Sequence, residues 1–145
     1  MVVIPARKNS AEPWERALSE SIRTSRDLAS VLEIDEAATG KVASTYPLLI
    51  NPYYLGLIRE RGDGIYRQAV PDLREITRRD GFTDPLNEEG LSPVPGLTHK
   101  YPDRVLFLVS GRCAMYCRFC NRKRKIGRGR PVVTRESIRE GLRYI

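Results

Sequence analysis

Val105-Leu106-Phe107-Leu108-Val109, followed after a gap of three residues by Cys113-Ala114-Met115-Tyr116-Cys117-Arg118-Phe119-Cys120, is the stretch on which the fold reading turns. Its first five residues are apolar with no polar alternation. That pattern suits a strand buried on both faces, as in a parallel sheet with helices outside. Residues 111–131 carry Gly111, Gly127, Gly129 and Pro131 and predict a long loop. Thr134 then caps a helix over 136–145, with Ile138, Leu142 and Ile145 on one face. Strand, loop and helix together read as the first unit of a βα series. A strand buried on both faces needs a neighbour on each edge, and the apolar stripe of the helix is still running at Ile145. The expectation is therefore the first part of a larger α/β protein. The alternative pairs Val105–Val109 with a weak upstream strand such as Val2–Ile4.

Upstream the chain reads as helical. Residues 10–33 predict one helix, with Ser10 as cap, Pro13 in the first turn and a buried stripe of Trp14, Leu18, Ile22, Leu28, Val31 and Leu32. Residues 34–50 are ambiguous, with Gly40 as a candidate break. Asn51 and Pro52 predict a short helix through Ile58. Residues 59–64 read as a loop, and Pro71-Asp72 predicts another short helix through Arg79. Residues 83–99 are dense in turn formers (Asp84-Pro85, Asn87, Gly90, Ser92-Pro93, Pro95-Gly96) and read as a linker or wrapping segment. The domain reading is a helical region with a Pro-rich linker over 1–99, then a strand, a cysteine loop and a helix over 100–145.

The chain has 145 residues, the size of one ordinary domain, and a net charge of +7. The charge is local. Residues 1–99 hold 12 Lys/Arg against 15 Asp/Glu, whereas residues 100–135 hold 11 against Asp103 alone. Such a block can hold an anionic cofactor, a carboxylate substrate or nucleic acid, or can be a solvated basic face. No apolar run is long enough for a membrane span, and Met1 to Asn9 lack the apolar core of a secretory signal. The expected location is the cytoplasm, with no membrane partner.

Three cysteines within eight residues make a poor disulfide framework and point to metal or redox chemistry. Soft thiolates suit iron–sulfur clusters and zinc. Three of them leave one iron of a four-iron cubane without a protein ligand. A closed zinc site wants four ligands. The single histidine, His99, lies fourteen residues before Cys113, across a strand spanning roughly 20 Å. It would sit at the wrong end. The cysteines follow the C-terminal end of the strand, where loops carry function in βα barrels.

The C-x3-C-x2-C spacing, with Phe119 before the last cysteine, resembles the radical S-adenosylmethionine superfamily. Ser92-Pro-Val-Pro-Gly-Leu-Thr-His-Lys-Tyr-Pro-Asp-Arg-Val-Leu-Phe-Leu-Val109 and Cys113 through Arg124 are similar to the lysine 2,3-aminomutase family. Asn51-Pro-Tyr-Tyr54, Arg67-Gln-Ala-Val-Pro71 and Asp84-Pro-Leu86 also fit its N-terminal region. The likeness is dense over 47–145 and weak before that.

The resemblance implies a helical N-terminal region followed by the first βα unit of an incomplete, TIM-like radical S-adenosylmethionine barrel. It implies a [4Fe-4S] cluster on Cys113, Cys117 and Cys120 and S-adenosylmethionine at the open iron. It also implies pyridoxal 5′-phosphate carrying the substrate amine, which migrates from C2 to C3 after a 5′-deoxyadenosyl radical removes hydrogen. Phe119 would lie by the adenine, its backbone mattering more than its ring. Arg122 would hold the substrate carboxylate, a task suited to a planar bidentate donor. Tyr101 and Arg104, with Lys100 assisting, match positions associated with pyridoxal phosphate. The plain readings are a solvated strand flank for Arg104 and core packing for Tyr101. Asn121 and Lys123 depart from the family's Thr and Arg, which leaves the substrate open.

The implied partners are an amino acid, an electron donor such as flavodoxin or ferredoxin, and a second copy in a homo-oligomer. Nucleic acid is not expected. The lysine that anchors pyridoxal phosphate falls in later parts of the family chain, so this stretch is expected to be inactive alone. The competing readings are a related activity on glutamate or on the elongation factor P lysine system, a basic nucleic-acid or metal-binding module over 112–135, and a non-functional relic.

Overall fold

A computed structural model describes residues 14–78, 80–127 and 133–145. The expected cap Ser10, Pro13, the Val2–Ile4 strand and Pro131 lie outside those residues. The chain divides into two compact units, one of Met1–Arg79 with Ala114–Lys123, the other of Asp80–Cys113 with Arg124–Ile145.

The first unit is built from short helices: α1 (Trp14–Ser19), α2 (Ser25–Ala29), α3 (Glu36–Thr45), α4 (Pro52–Leu55), α5 (Gly64–Ala69) and α6 (Arg74–Thr77). None is long enough to stand alone in water, where a helix shorter than about 12 residues is marginal. Caps and a shared core hold them. Thr24, Asp35, Asn51 and Asp63 each accept a hydrogen bond from the backbone N–H three residues on, at 3.1, 2.9, 2.8 and 2.6 Å. The core gathers Leu28, Leu32, Leu48, Ile50, Ile58, Ala69 and Val70, with Ile22, Tyr54, Tyr66 and Met115 packed against it.

The single helix expected over 10–33 is two. Residues 20–24 leave the helix so that Ile22 and Ile50 can exchange backbone hydrogen bonds of 2.8 and 3.0 Å. Ser21, Thr24 and Ser25 favour the break, because short polar side chains bond the backbone locally, and Thr24 caps the new helix. Trp14 is exposed rather than core. Gly40 does not break α3. A Cβ built there would lie 3.2 Å from Ser25 Oγ, so the glycine permits close approach of α2. The Asn51-capped helix ends at Leu55 rather than Ile58, and α5 was not expected.

The second unit holds an antiparallel hairpin, β1 (Leu97–Tyr101) and β2 (Arg104–Phe107), and one helix, α7 (Arg135–Tyr144). Leu97 pairs with Phe107 and Tyr101 with Arg104 across Pro102-Asp103. This corrects the expected strand in three ways. It is shorter, its partner is the end of the presumed linker, and its residues alternate between exposed and half-buried. Leu97 is the fully buried member of the pair. Among the described residues β2 has one strand neighbour, on the β1 edge.

Thr134 caps α7 as expected, in a reciprocal pair with Ser137 at 3.0 and 2.9 Å. The buried face is not the one expected. Ser137 and Gly141 are buried, while Leu142 and Ile145 are exposed. A Cβ on Gly141 would come within 2.3 Å of the Phe107 ring. Gly141→Ala is therefore expected to destabilise the unit by about 1–3 kcal/mol, although alanine is the better helix former. Thermal unfolding and amide exchange in α7 would measure it, and a stabilised variant would refute the contact.

Candidate functional site

Residues 114–123, which carry Cys117 and Cys120, belong to the first unit and are held there by backbone and side-chain bonds. Tyr116 N–H donates to Leu49 O at 3.0 Å and Arg118 N–H to Gln68 O at 2.8 Å. Asn51 Nδ2 donates to Ala114 O at 3.1 Å, so the residue that caps α4 also holds the loop. Met115 packs against the helical core.

Arg118, the residue after Cys117, is buried. Its Nε and Nη2 reach Glu75 Oε1 and Oε2 at 3.0 and 2.9 Å, its Nη1 reaches Pro47 O at 3.0 Å, and its Nη2 lies 3.3 Å from Tyr46 O. Lys123 adds a bond to Glu75 Oε2 at 3.0 Å and one to Arg118 O at 3.1 Å, with its ammonium 4.3 Å from the Tyr46 ring centre. Burial alone would raise the Glu75 carboxyl. Hydrogen bonds from Arg118, the Asp72 backbone and Lys123 outweigh it and hold the group below the ordinary range.

The turn that presents Glu75 is itself clamped. Arg74 bonds Asp72 through Nε and Nη2 at 2.8 and 2.6 Å, which lowers Asp72 to about 2 against an opposing burial effect. A depressed carboxyl stabilises the fold above its unfolded value of 3.8, and that contribution is lost as pH falls toward about 2. Both side chains are substantially exposed, so screening leaves about 1 kcal/mol or less. Asp72→Asn is expected to flatten the acid limb of a stability–pH curve by that amount, and an unchanged limb would refute it.

Cys117 and Cys120 are half-buried in the first unit and Cys113 is exposed in the second; none of the three is in a disulfide. Cys120 N–H donates to Cys117 O at 3.1 Å, Lys123 N–H donates to Cys120 O at 3.1 Å, and Arg122 N–H points at Cys120 Sγ at 3.4 Å. Cysteine sulfur is the soft donor that an iron–sulfur group takes, and one of the three already accepts a backbone N–H. Among the described residues no three His, Cys, Asp or Glu side chains are gathered into a ready cage for a metal ion. His99, considered above as a zinc ligand, is engaged with the Tyr144 hydroxyl at 2.6 Å.

Other residues singled out in the sequence fall as follows. Phe119 is exposed and Arg122 half-buried in the first unit. Tyr101 and Arg104 are brought together at the turn end of the hairpin, with the guanidinium 5.7 Å from the ring centre. Arg104 is paired with Asp103 at 2.9 and 2.7 Å, and Tyr101 is exposed rather than core. Cys113 follows the opposite end of β2. Tyr54, from the Asn-Pro-Tyr-Tyr segment, bonds Gln68 Oε1. Burial raises its phenol, and the neighbouring Cys117 raises it further.

Among the described residues of the basic block, Arg118, Lys123, Arg124 and Lys125 pair with carboxylates of the chain. In the second unit Arg124 bonds Glu89 at 3.1 Å. It also lies 2.9 Å from Asp84 as an ion pair. Sequence reasoning missed the Arg118–Glu75 pair. Glu75 lies 43 residues upstream, and nothing in the local pattern links the two.

No protein-family model matches the chain. Curated relatives do, and their names are those of amino-acid aminomutases. It is 38% identical over 138 residues to the L-lysine 2,3-aminomutase of Fusobacterium nucleatum, which covers 91% of this chain and 32% of that protein. It is 40% identical over 139 residues to that of Bacillus subtilis, covering 91% and 29%. The glutamate 2,3-aminomutase of Clostridioides difficile is 36% identical over 107 residues, covering 72% and 25%. Over the stretch they share, the chain matches a fragment of lysine 2,3-aminomutases; it spans about a third of the length of the relatives it matches. Among the described residues no helix is long and apolar enough to cross a membrane.

Proposed function

We propose that this chain is the cluster-bearing part of a radical S-adenosylmethionine, pyridoxal phosphate-dependent amino-acid 2,3-aminomutase, of the type that converts L-lysine to β-lysine. The observation that carries the reading is the trio of cysteines, none in a disulfide, at C-x3-C-x2-C spacing within a chain related to aminomutases along nine-tenths of its length. In this reading residues 1–99 are the helical region and linker, and 100–145 open an incomplete βα barrel.

When bound, the iron–sulfur cluster and S-adenosylmethionine supply the radical, and pyridoxal phosphate carries the amine. The chain's own residues do the positioning. Cys113, Cys117 and Cys120 hold the cluster. Phe119 lines the adenine side, Arg122 orients the substrate carboxylate, and Tyr101 with Arg104 meets the pyridoxal phosphate. The protein works in the cytoplasm with a flavodoxin- or ferredoxin-like donor, as a homo-oligomer in full length. This stretch alone does not turn over, because it spans only a third of its relatives.

Lysine is favoured over glutamate by the longer and more numerous matches. Lys123 bonds Glu75, so that departure from the family pattern falls on loop anchorage. The engagement of Arg118, Lys123 and Arg124 with carboxylates weighs against a nucleic-acid module, which needs its cations for phosphates.

Oxygen-free reconstitution tests the proposal. The chain is expected to bind about four irons and four sulfides. S-adenosylmethionine is expected to change the spin spectrum of the reduced cluster. Zinc uptake, or a spectrum indifferent to the nucleoside, would overturn the reading. Production of β-lysine by this chain alone would refute its incompleteness.

A further inference from the structure

We propose that Glu75 is a positioning residue for cluster loading: through Arg118 it seats the Cys117–Cys120 turn on the helical unit before any metal arrives. The inference rests on the cluster reading above, but its geometry stands apart from it. All the groups concerned belong to the first unit.

Arg118 lies between the two cysteines, next to Cys117 and two residues before Cys120. Its guanidinium is directed away from the loop, onto a carboxylate in α6 and two carbonyls at the end of the α3 segment. Its backbone N–H is used on Gln68 O. The residue is thus fixed at both ends, by the main chain on one side of the helical unit and by the side chain on another. Lys123 repeats the arrangement from beyond Cys120, touching Glu75 and Arg118 O together. One carboxylate therefore gathers cations from both sides of the Cys120 turn.

An unmetallated cysteine loop carries backbone polar groups with no ladder to satisfy them, and left alone it would sample many conformers. Here the helical unit supplies the missing partners. The ordering entropy is met on folding instead of on cluster binding, which is the general route by which preorganisation raises affinity.

The test needs no turnover. In the metal-free chain the amides of Tyr116 and Arg118 are expected to exchange as slowly as those of α3, and exchange at free-peptide rates would overturn the proposal regardless of any variant. Glu75→Gln keeps the size but removes the charge. A Glu75→Met/Arg118→Met double variant replaces the buried pair by apolar side chains of similar volume, a change often tolerated by stability. In whichever variant stays folded by thermal unfolding, Cys117 and Cys120 are expected to react with a thiol reagent about fivefold faster or more, as local opening is freed. Iron uptake at limiting iron and sulfide is expected to fall in parallel. A folded variant with unmodified thiol rates and unmodified iron uptake would overturn the proposal. An unmodified chain that takes up no iron, with its thiols still shielded and released by the variants, would sink the cluster reading and leave the seating intact.

Discussion

Cys117→Ser is expected to abolish iron retention in the reconstituted chain and to leave the metal-free fold in place. The expected residue is less than about a tenth of the unmodified iron content, because a hard serine oxygen does not replace a soft thiolate and a three-cysteine site has no spare ligand. Cys113→Ser and Cys120→Ser are expected to give the same loss, since the proposed cluster takes all three sulfurs. The fold should tolerate all three. Cys113 is exposed, the other two are half-buried, and none is disulfide-bonded. Serine is nearly isosteric, so the apo melting temperature moves by no more than about 2 °C. Iron and sulfide assay beside a thermal melt checks both halves. A variant that keeps its iron removes that cysteine from the site, and three such variants remove the site.

Arg118→Ala is the largest stability loss expected in the chain. The side chains of Arg118 and Glu75 are 6% and 11% exposed, and the pair is bidentate. Removing one partner of a buried pair costs about 3–5 kcal/mol, because the other charge stays buried without compensation. The carbonyls of Tyr46 and Pro47 lose a donor in the same change. For a chain of this size the melting temperature should fall by about 10 °C or more. Acid behaviour changes too. In the unmodified chain the Glu75 carboxyl is depressed, so its contribution is complete above the ordinary value of 4.5 and lost as pH falls through its lower folded value. Without Arg118 burial is opposed chiefly by Lys123 and the Asp72 backbone, and this part of the acid dependence weakens. A loss below about 1 kcal/mol, the range of exposed pairs, would show that water reaches the pair in solution.

These two residues mark a division between local and distant information. The cysteine spacing, the Thr134 cap of α7 and the Asn51–Pro52 helix start were legible because each depends on neighbours within a few positions. The kinship to aminomutases was legible for the same reason, being carried by contiguous runs such as Cys113 through Arg124 and Asn51 through Tyr54. The Ile22–Ile50 bridge was not, and it split the first predicted helix because two chain segments far apart in sequence satisfy each other's backbone.

The strand shows the same limit. Five apolar residues specify an extended, partly buried segment, but not which strand lies beside it. The partner was the tail of a segment read as linker, joined through a turn at Pro102-Asp103.

Charge shows it most plainly. Residue types and their order suffice to collect thiols and cations in one loop, because covalent neighbours cannot be separated. Whether those cations face solvent, a ligand or the protein's own carboxylates depends on contacts between segments 35 to 48 residues apart. Chain packing turned Arg118, Lys123 and Arg124 inward. An ion pair is made by proximity in space, and proximity in space is what a linear order of residues does not state.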